Sequence, residues 1–174
     1  MSNARSRSTQ AVEAGMEELA GKYLTFHLAE EEYGLEILKV QEIIEMLEIT
    51  RVPRVPDYVR GVINLRGKVV PIVDLRLKFN MPAQETSRKT CIIVVRVQRG
   101  DAGVIMGIIV DEVSEVVEIS AEEIESAPAF GTQVDTSFIL GMAKAKDSVK
   151  ILLDIDKVLS ADEVNALAKT GNGA

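Results

Sequence analysis

The feature that most constrains the fold of this chain is its excess of β-branched apolar residues. Its 174 residues include 21 Val and 16 Ile but 14 Leu. Side chains that branch at Cβ lose rotamers in helices and pack well on the pleated surface of a sheet. With 47% apolar residues, the chain can bury one core, or two small cores that share an interface. The composition therefore predicts a mostly β fold with a few short helices.

The negative net charge and the scarcity of His and Cys limit the classes of function that this chain can have. The chain has 27 acidic and 20 basic residues and a net charge of -7, which opposes binding to any partner whose affinity comes from neutralisation of its phosphates, so we expect no nucleic acid partner. No apolar run approaches the roughly 20 residues of a membrane-spanning helix, and the first residues lack a signal-peptide stretch. We therefore expect a cytoplasmic protein without membrane insertion. One His and one Cys cannot form a multi-histidine or multi-cysteine metal site, so we predict no metal, no cofactor and no catalytic residue.

Local patterns place the first strands. The segment KYLTFHLA alternates apolar and polar residues from Lys22, and the turn AEEEYG, with Gly34, sends the chain back as a second strand. The next segment, EILKVQEIIEMLEI, is ambiguous, because its apolar residues recur at helical spacing and are largely β-branched. In VINLRGKVVPIVDL two apolar runs flank Arg66 and Gly67, which predicts a hairpin with a tight turn. Pro71 belongs at an edge or a bulge, because it cannot donate a ladder hydrogen bond.

The pattern divides the chain into a flexible tail, a folded domain, a terminal helix and a frayed end. A polar segment, AQETSRKT, separates two approximate subdomains, and a strand at 149–158 is a candidate to complete the first. The terminal helix is opened by SADE, which forms a capping box. The predicted bounds are 1–20 for the tail, 22–160 for the domain, 22–80 and 88–146 for its subdomains, 160–170 for the helix and 171–174 for the frayed end.

Three apolar segments, PIVD, IIVD and ILLD, end in an aspartate, at Asp74, Asp111 and Asp154. One interpretation is a repeated strand end whose carboxylate caps a short helix, as in DLRLKFN from Asp74. The alternative is a phospho-accepting or metal-dependent domain that uses these aspartates. The chain after Asp74 is too short and too polar for the crossover helix of a parallel sheet, which favours capping.

Near matches to nucleotide-binding loops fail on their spacing. Gly15 and Gly61 each precede a Gly-Lys pair by five intervening residues instead of four, and no Ser or Thr follows to hold magnesium. Gly100, Gly103 and Gly107 lack the spacing of a dinucleotide fingerprint. Hydrophobic strands without catalytic groups are typical of proteins that act by binding.

A longer match points to a family. Residues 64–79, NLRGKVVPIVDLRLKF, resemble the CheW-type coupling proteins of bacterial chemotaxis, as do EEYGLEILKVQEI before them and GIIVDEVSEVVEI after them. The resemblance runs in order from about Tyr23 to Val158. It implies two small five-stranded, SH3-like β-barrels packed on a shared hydrophobic core. It also implies a short helical turn at Ile37 to Val40 that runs into a strand.

The resemblance further implies an adaptor without catalysis. Proteins of this kind link the cytoplasmic tips of chemoreceptors, the methyl-accepting chemotaxis proteins, to the regulatory domain of the histidine kinase CheA. They are recruited to receptor arrays at the membrane. A scaffold with the same fold in a non-motility chemosensory pathway stays open as an alternative.

Motif positions carry the expected contacts over to this chain. Ile37 and Val40 would be apolar contacts in a partly exposed receptor groove, although both would also suit an ordinary core. We expect Glu42 and Arg66 to pair and shape this groove, since a guanidinium can hold a carboxylate with two hydrogen bonds. Val113 and Val116, the candidates for kinase contacts, would suit core packing equally well. The receptor-binding residues would be Ile37, Val40, Glu42, Gly61, Asn64 and Arg66, and the kinase-binding residues Val113 and Val116.

Overall fold

A computed structural model of the protein describes residues 19–99, 102–126, 137–145, 148–159, 163 and 166. The predicted tail, terminal helix and frayed end lie almost entirely outside these residues. The described strands are β1 (Gly21–Leu28), β2 (Glu31–Glu36), β3 (Val40–Glu45), β4 (Val59–Leu65), β5 (Lys68–Asp74), β6 (Cys91–Arg99), β7 (Ala102–Val110), β8 (Glu112–Ile119), β9 (Ile124–Glu125), β10 (Ile139–Ala145) and β11 (Ser148–Leu153).

These strands form two sheets, so the prediction of a mostly β fold is confirmed. The first sheet has the order β8-β1-β2-β11-β10-β9, and the second has the order β3-β6-β7-β5-β4. The first sheet therefore contains one strand more than the five expected, because the two-residue strand β9 pairs with β10. Both predicted hairpins are present, β1 with β2 and β4 with β5. The expectation for Pro71 is wrong, because β5 is an interior strand and Pro71 pairs with Val62 away from the irregularity of β4. Pro71 is tolerated there because the parallel ladder of β5 with β7 begins only at Ile72.

The helical segments whose full extent lies among the described residues are short. Two are 3₁₀ turns, at Ile37–Lys39 and Ala121–Glu123, and two are one-turn helices, α1 (Leu75–Lys78) and α2 (Ile155–Val158). The first 3₁₀ turn leads directly into β3, which resolves the ambiguous segment as a turn followed by a strand. No helix in the described part of the chain is long and apolar enough to cross a membrane.

The sheets divide the chain differently from the predicted subdomains. Strands β3 to β7 form the second sheet, whereas β1 and β2 join β8 to β11 in the first. Residues 22–80 and 88–146 therefore each contribute strands to both sheets. Strand β11 covers the first half of the strand expected at 149–158, whose second half contains α2, and it pairs in parallel with β2. Strand pairing between segments far apart in sequence decides which strands share a sheet. The polar segment AQETSRKT separates neighbouring strands along the chain but does not indicate which strands pair.

One apolar core lies between the sheets, and each sheet also packs a smaller core of its own. Strand β6 shows the arrangement, because Ile93 and Val95 belong to the shared core while Ile92 and Val94 belong to the core of the second sheet. A strand that is buried on both faces needs no polar alternation, which explains the continuous apolar run CIIVVRV. Each fully buried side chain of this size contributes about 1.5–3 kcal/mol.

Candidate functional site

The turn between β4 and β5 presents Arg66 at its tip. Arg66 and Gly67 both have left-handed backbone, with φ of 49° and 87°. Positive φ at both central residues is typical of the type I′ turn, whose twist matches that of a two-residue hairpin. The Asn64 Oδ1 atom accepts a hydrogen bond from the Gly67 N–H, with an N···O distance of 2.8 Å. Asn64 therefore stabilises the turn that positions Arg66.

Arg66 pairs with Glu42 across the edge of the second sheet. The Arg66 Nη2 atom donates a hydrogen bond to Glu42 Oε1. Glu42 lies on β3, so the pair joins that strand to the β4–β5 hairpin, 24 residues away in sequence. This hydrogen bond raises the pKa of Arg66. The structure thus brings together the two charges that the sequence analysis singled out.

Gly61 lies where the chain after β3 crosses β4. Thr50 and Val62 exchange two backbone hydrogen bonds, with N···O distances of 2.8 and 2.9 Å. A Cβ atom on Gly61 would lie 2.8 Å from the Thr50 carbonyl carbon, closer than real Cβ atoms approach such a group. Gly61 is buried, so its observed contribution is to let two backbone segments approach. Strands β3 and β4 are the two edges of the second sheet, and this contact brings the segment that follows β3 beside β4.

The apolar residues of this region differ in exposure. Ile37 and Val40 are half-buried and pack against the shared core. Leu38 is 91% exposed and Ile43 is 45% exposed, and sequence reasoning missed both. The alternation along β3 could have indicated Ile43, because it turns that side chain outward, but only once the start of the strand was known.

An ion pair holds the Ile37–Lys39 turn against distant elements. The Lys39 Nζ atom donates to Asp156 Oδ2 of α2 at 2.7 Å. The other carboxylate oxygen, Oδ1, accepts from the Gln98 N–H of β6 at 2.8 Å. Lys39 and Asp156 are 117 residues apart, so no local pattern could reveal this contact.

Strand β8 carries the two valines predicted to contact the kinase, and it lies at the edge of the first sheet. Val113 is half-buried against the shared core, whereas Val116 is 51% exposed. The buried Thr25 of β1 lies opposite an irregularity between these two valines. Its hydroxyl donates to the Glu115 carbonyl at 2.9 Å and accepts from the Glu115 N–H at 3.2 Å, so the bulge is satisfied internally.

The three strand-end aspartates do not form a common site. Asp74 accepts hydrogen bonds from the N–H groups of the first turn of α1, and Asp154 caps α2 in the same way. The capping interpretation is thus confirmed for these two residues. Among the described residues, no group of three or more His, Cys, Asp or Glu side chains could hold a metal ion.

Asp111 has a different role, which sequence reasoning missed. Its carboxylate accepts two hydrogen bonds from Arg76 of α1, with distances of 2.7 Å from Nε and 2.5 Å from Nη2. It also accepts from the Ala29 N–H at 2.7 Å, in the β1–β2 turn where Ala29 has a φ of 54°. Because α1 follows the second sheet and the β1–β2 turn belongs to the first, Asp111 connects the two.

Lys150 is a buried cation, with 2% of its surface exposed. Its Nζ atom donates to Glu32 Oε2 at 2.8 Å and to the Ser148 hydroxyl at 3.1 Å. The hydrogen bond from Lys150 lowers the pKa of Glu32, although burial acts in the opposite direction. Glu32 lies opposite Lys150 in the parallel ladder of β2 with β11, so the pair reinforces that ladder.

Comparisons with known proteins agree with this architecture. The family model of the CheW-like domain matches residues 22–163. The chemotaxis protein CheW of Klebsiella aerogenes is 40% identical over 148 residues, which cover 85% of this chain and 87% of that protein. CheW of Bacillus subtilis is 36% identical over 142 residues, which cover 81% of this chain and 88% of that protein. The crystal structure of the scaffolding protein TtCheW from Thermoanaerobacter tengcongensis superimposes with a TM-score of 0.73 at 36% identity, over 83% of this chain and 95% of that one. The chain therefore belongs to the CheW family of non-catalytic chemotaxis coupling adaptors.

Proposed function

We propose that this protein couples the cytoplasmic tips of chemoreceptors to the histidine kinase CheA and is recruited by them to arrays at the membrane. The observation that carries the proposal is the Glu42–Arg66 pair, which joins β3 to the β4–β5 hairpin next to exposed apolar side chains. A helical partner commonly lays apolar residues into such a surface while charged groups at the rim set its register.

The receptor surface comprises the Ile37–Lys39 turn, β3 and the β4–β5 hairpin. Leu38 and Ile43 supply exposed apolar area beside the half-buried Ile37 and Val40. Asn64 and Gly61 act indirectly, since the first holds the hairpin turn and the second permits the close approach of Thr50. These contacts support a preorganised surface, which reduces the ordering cost of binding.

The kinase surface is centred on β8. Val116 offers exposed apolar area at the edge of the first sheet, while Val113 supports it from the core side. The receptor and kinase surfaces would then lie on different sheets, so one molecule could engage both partners. Individually weak contacts gain strength when many copies assemble in one array.

Charge reversal tests the receptor surface. We expect Glu42→Arg and Arg66→Glu each to weaken binding to a receptor cytoplasmic hairpin by about fivefold, because each leaves two like charges facing one another. The double reversal should recover at least half of that loss on a logarithmic scale. Binding is measured by co-sedimentation with the receptor hairpin and CheA, with kinase activity scored in the same tubes.

Arg88→Glu is the matched control. Arg88 lies in the connection between α1 and β6, outside the receptor surface, is exposed, and makes no ion pair within the described part of the chain. It changes the net charge by the same amount as Arg66→Glu and should leave binding close to that of the wild type. A double reversal no better than either single variant, with all variants folded by circular dichroism, would refute a direct functional pair.

A further inference from the structure

The Ile37–Lys39 turn is only weakly fixed by its own residues. The Val40 N–H donates to the Ile37 carbonyl and closes the turn, whereas the side chain of Glu36, which precedes the turn, does not cap it. None of the three residues of the turn is buried, and Leu38 is 91% exposed. The hydrogen bonds of a 3₁₀ turn have poorer geometry than those of an α-helix. Tertiary contacts must therefore hold this turn in one conformation.

Helix α2 offers a rigid support for such a contact. Ile155 and Val158 of α2 are buried in the shared core, so packing holds the helix in place. Asp156 lies between them in the chain, and its N–H donates to the Asp154 carboxylate at 3.1 Å. The backbone that carries the Asp156 side chain is therefore fixed both by packing and by capping.

The Asp156 carboxylate lies where the ladder of β3 with β6 ends. The last pair of this ladder is Val40 with Val95. Gln98 lies three residues further along β6, and its N–H donates to Asp156 Oδ1 at 2.8 Å. The second carboxylate oxygen, Oδ2, accepts from the Lys39 Nζ atom at 2.7 Å. One carboxylate thus connects the turn to β6 beyond the end of the backbone ladder.

The electrostatic surroundings of the turn favour the same position of Lys39. Burial raises the pKa of the Glu36 carboxyl, and Lys39 lowers it. Asp154 and Asp156 raise it further, so these three carboxylates lie close enough to interact. Loss of the Lys39 ammonium group would increase the repulsion among them. The side chains of Lys39 and Asp156 are 28% and 26% exposed, so solvent screens this ion pair less than a pair on the open surface.

We propose that Asp156 is a positioning residue of the receptor surface, which holds Lys39 and the adjoining Leu38 in the conformation that the receptor hairpin binds. Asp156 acts through Lys39 and does not itself contact the receptor. The positioning stands on the contacts of α2, whereas its effect on binding rests on the proposed function. A turn that is already ordered spares the receptor the cost of ordering it. Loosening the turn therefore lowers the apparent affinity by the fraction of molecules that leave the binding conformation.

Amide exchange tests the positioning without any receptor. Asp156→Asn removes the charge that holds Lys39 but keeps an oxygen that can accept from the Gln98 N–H. The Val40 amide, which closes the turn, should exchange about fivefold faster in this variant, while the Gln98 amide keeps its protection. Glu85→Gln is the matched control, because it removes one negative charge from an exposed residue between α1 and β6, and it should change neither rate. An unchanged Val40 rate in Asp156→Asn, or an equal change in Glu85→Gln, overturns the positioning.

A double-mutant cycle then tests the effect on receptor binding. Lys39→Met keeps most of the apolar stem of the side chain and removes its ammonium group. Lys39→Met and Asp156→Asn should each weaken binding to a receptor cytoplasmic hairpin about fivefold, and the double variant should also lose about fivefold, because both changes break one contact. Lys39→Arg keeps a charged donor and should bind as the wild type does. Binding to CheA should be unchanged in all four variants, since the proposed kinase surface lies on β8.

The possible outcomes distinguish a positioning role from a direct one. Losses that multiply to about twenty-fivefold in the double variant would mean that Lys39 contacts the receptor independently of Asp156, which overturns the proposal. Wild-type affinity in Asp156→Asn, or a parallel loss of CheA binding, overturns it as well. If the hairpin binds neither the wild type nor Glu85→Gln, the proposed function fails and the effect on binding with it, whereas amide exchange still decides the positioning.

Discussion

Gly61 makes a specific demand on the backbone that alanine cannot meet. Its φ is +139°, and a Cβ atom there would lie 2.8 Å from the Thr50 carbonyl carbon and 3.0 Å from the Ile49 Cγ2 atom. The carbonyl belongs to the backbone, so it cannot swing aside as a side chain would. Gly67 also has a positive φ, +87°, but a Cβ atom there would meet nothing within 4 Å. The two glycines therefore separate backbone strain from steric clash.

The expected cost follows from these contacts. A left-handed or related backbone conformation costs an alanine about 1–2 kcal/mol, so Gly67→Ala should lower the free energy of unfolding by about that amount. At Gly61 the clash must also separate Thr50 from Val62, whose two backbone hydrogen bonds contribute about 1 kcal/mol each. We expect a loss of about 3–4 kcal/mol for Gly61→Ala, a large part of the 5–15 kcal/mol typical of a folded protein.

Denaturant unfolding followed by circular dichroism measures both variants. Gly61→Ala should unfold at a clearly lower urea concentration than Gly67→Ala, with a similar slope. Hydrogen exchange at the Thr50 and Val62 amides should accelerate in Gly61→Ala alone. Equal unfolding midpoints for the two variants, or full protection of these amides in Gly61→Ala, would refute the clash as the cause.

Three other substitutions test the contacts that connect the strands. Arg76→Met removes both hydrogen bonds to the Asp111 carboxylate and should cost about 2–3 kcal/mol in urea unfolding, and an unchanged midpoint would contradict this. Thr25→Val removes the hydroxyl that bonds the N–H and the carbonyl of Glu115 in the β8 bulge and should cost about 1–3 kcal/mol, with faster amide exchange in β8 as the measurement; unchanged exchange would count against it. Glu32→Gln leaves Lys150 buried without a counterion and should cost about 2–3 kcal/mol at neutral pH. Lys150 lowers the pKa of Glu32 below its usual value of 4.5, so the ion pair stabilises the fold fully above pH 4.5, and this stabilisation is lost as the pH falls through the folded-state pKa. The free energies of unfolding of the wild type and Glu32→Gln should therefore converge in acid. A difference that does not depend on pH would contradict the pairing.

Much of the local structure follows from residues that are neighbours in the chain. The alternation from Lys22 predicts β1, and Arg66 with Gly67 predicts a tight hairpin turn. Asp74 directly precedes the segment LRLKFN, and its side chain caps α1 as expected. Such features need only a few adjacent side chains, since turn geometry and capping are local hydrogen-bonding problems.

The residues of the candidate site show which contacts the sequence could predict and which required the fold. Motif resemblance drew attention to Glu42 and Arg66, and the fold places them within hydrogen-bonding distance. Leu38 and Ile43 were missed, because the exposure of Ile43 depends on which side of β3 faces the core and that of Leu38 depends on the 3₁₀ turn before β3. An ambiguous segment could not specify that side until the position of its 3₁₀ turn was known.

The assignment of strands to sheets and the long-range ion pairs belong to the tertiary structure. Strand β3 follows β2 in the chain but pairs with β6, whereas β2 pairs with β11, which lies more than a hundred residues later. The Lys39–Asp156 and Arg76–Asp111 contacts exist only because this pairing brings their strands and turns together. Apolar periodicity indicates that a strand has a buried face but is nearly the same for every strand, so the choice of partner depends on how the whole set fills the shared core.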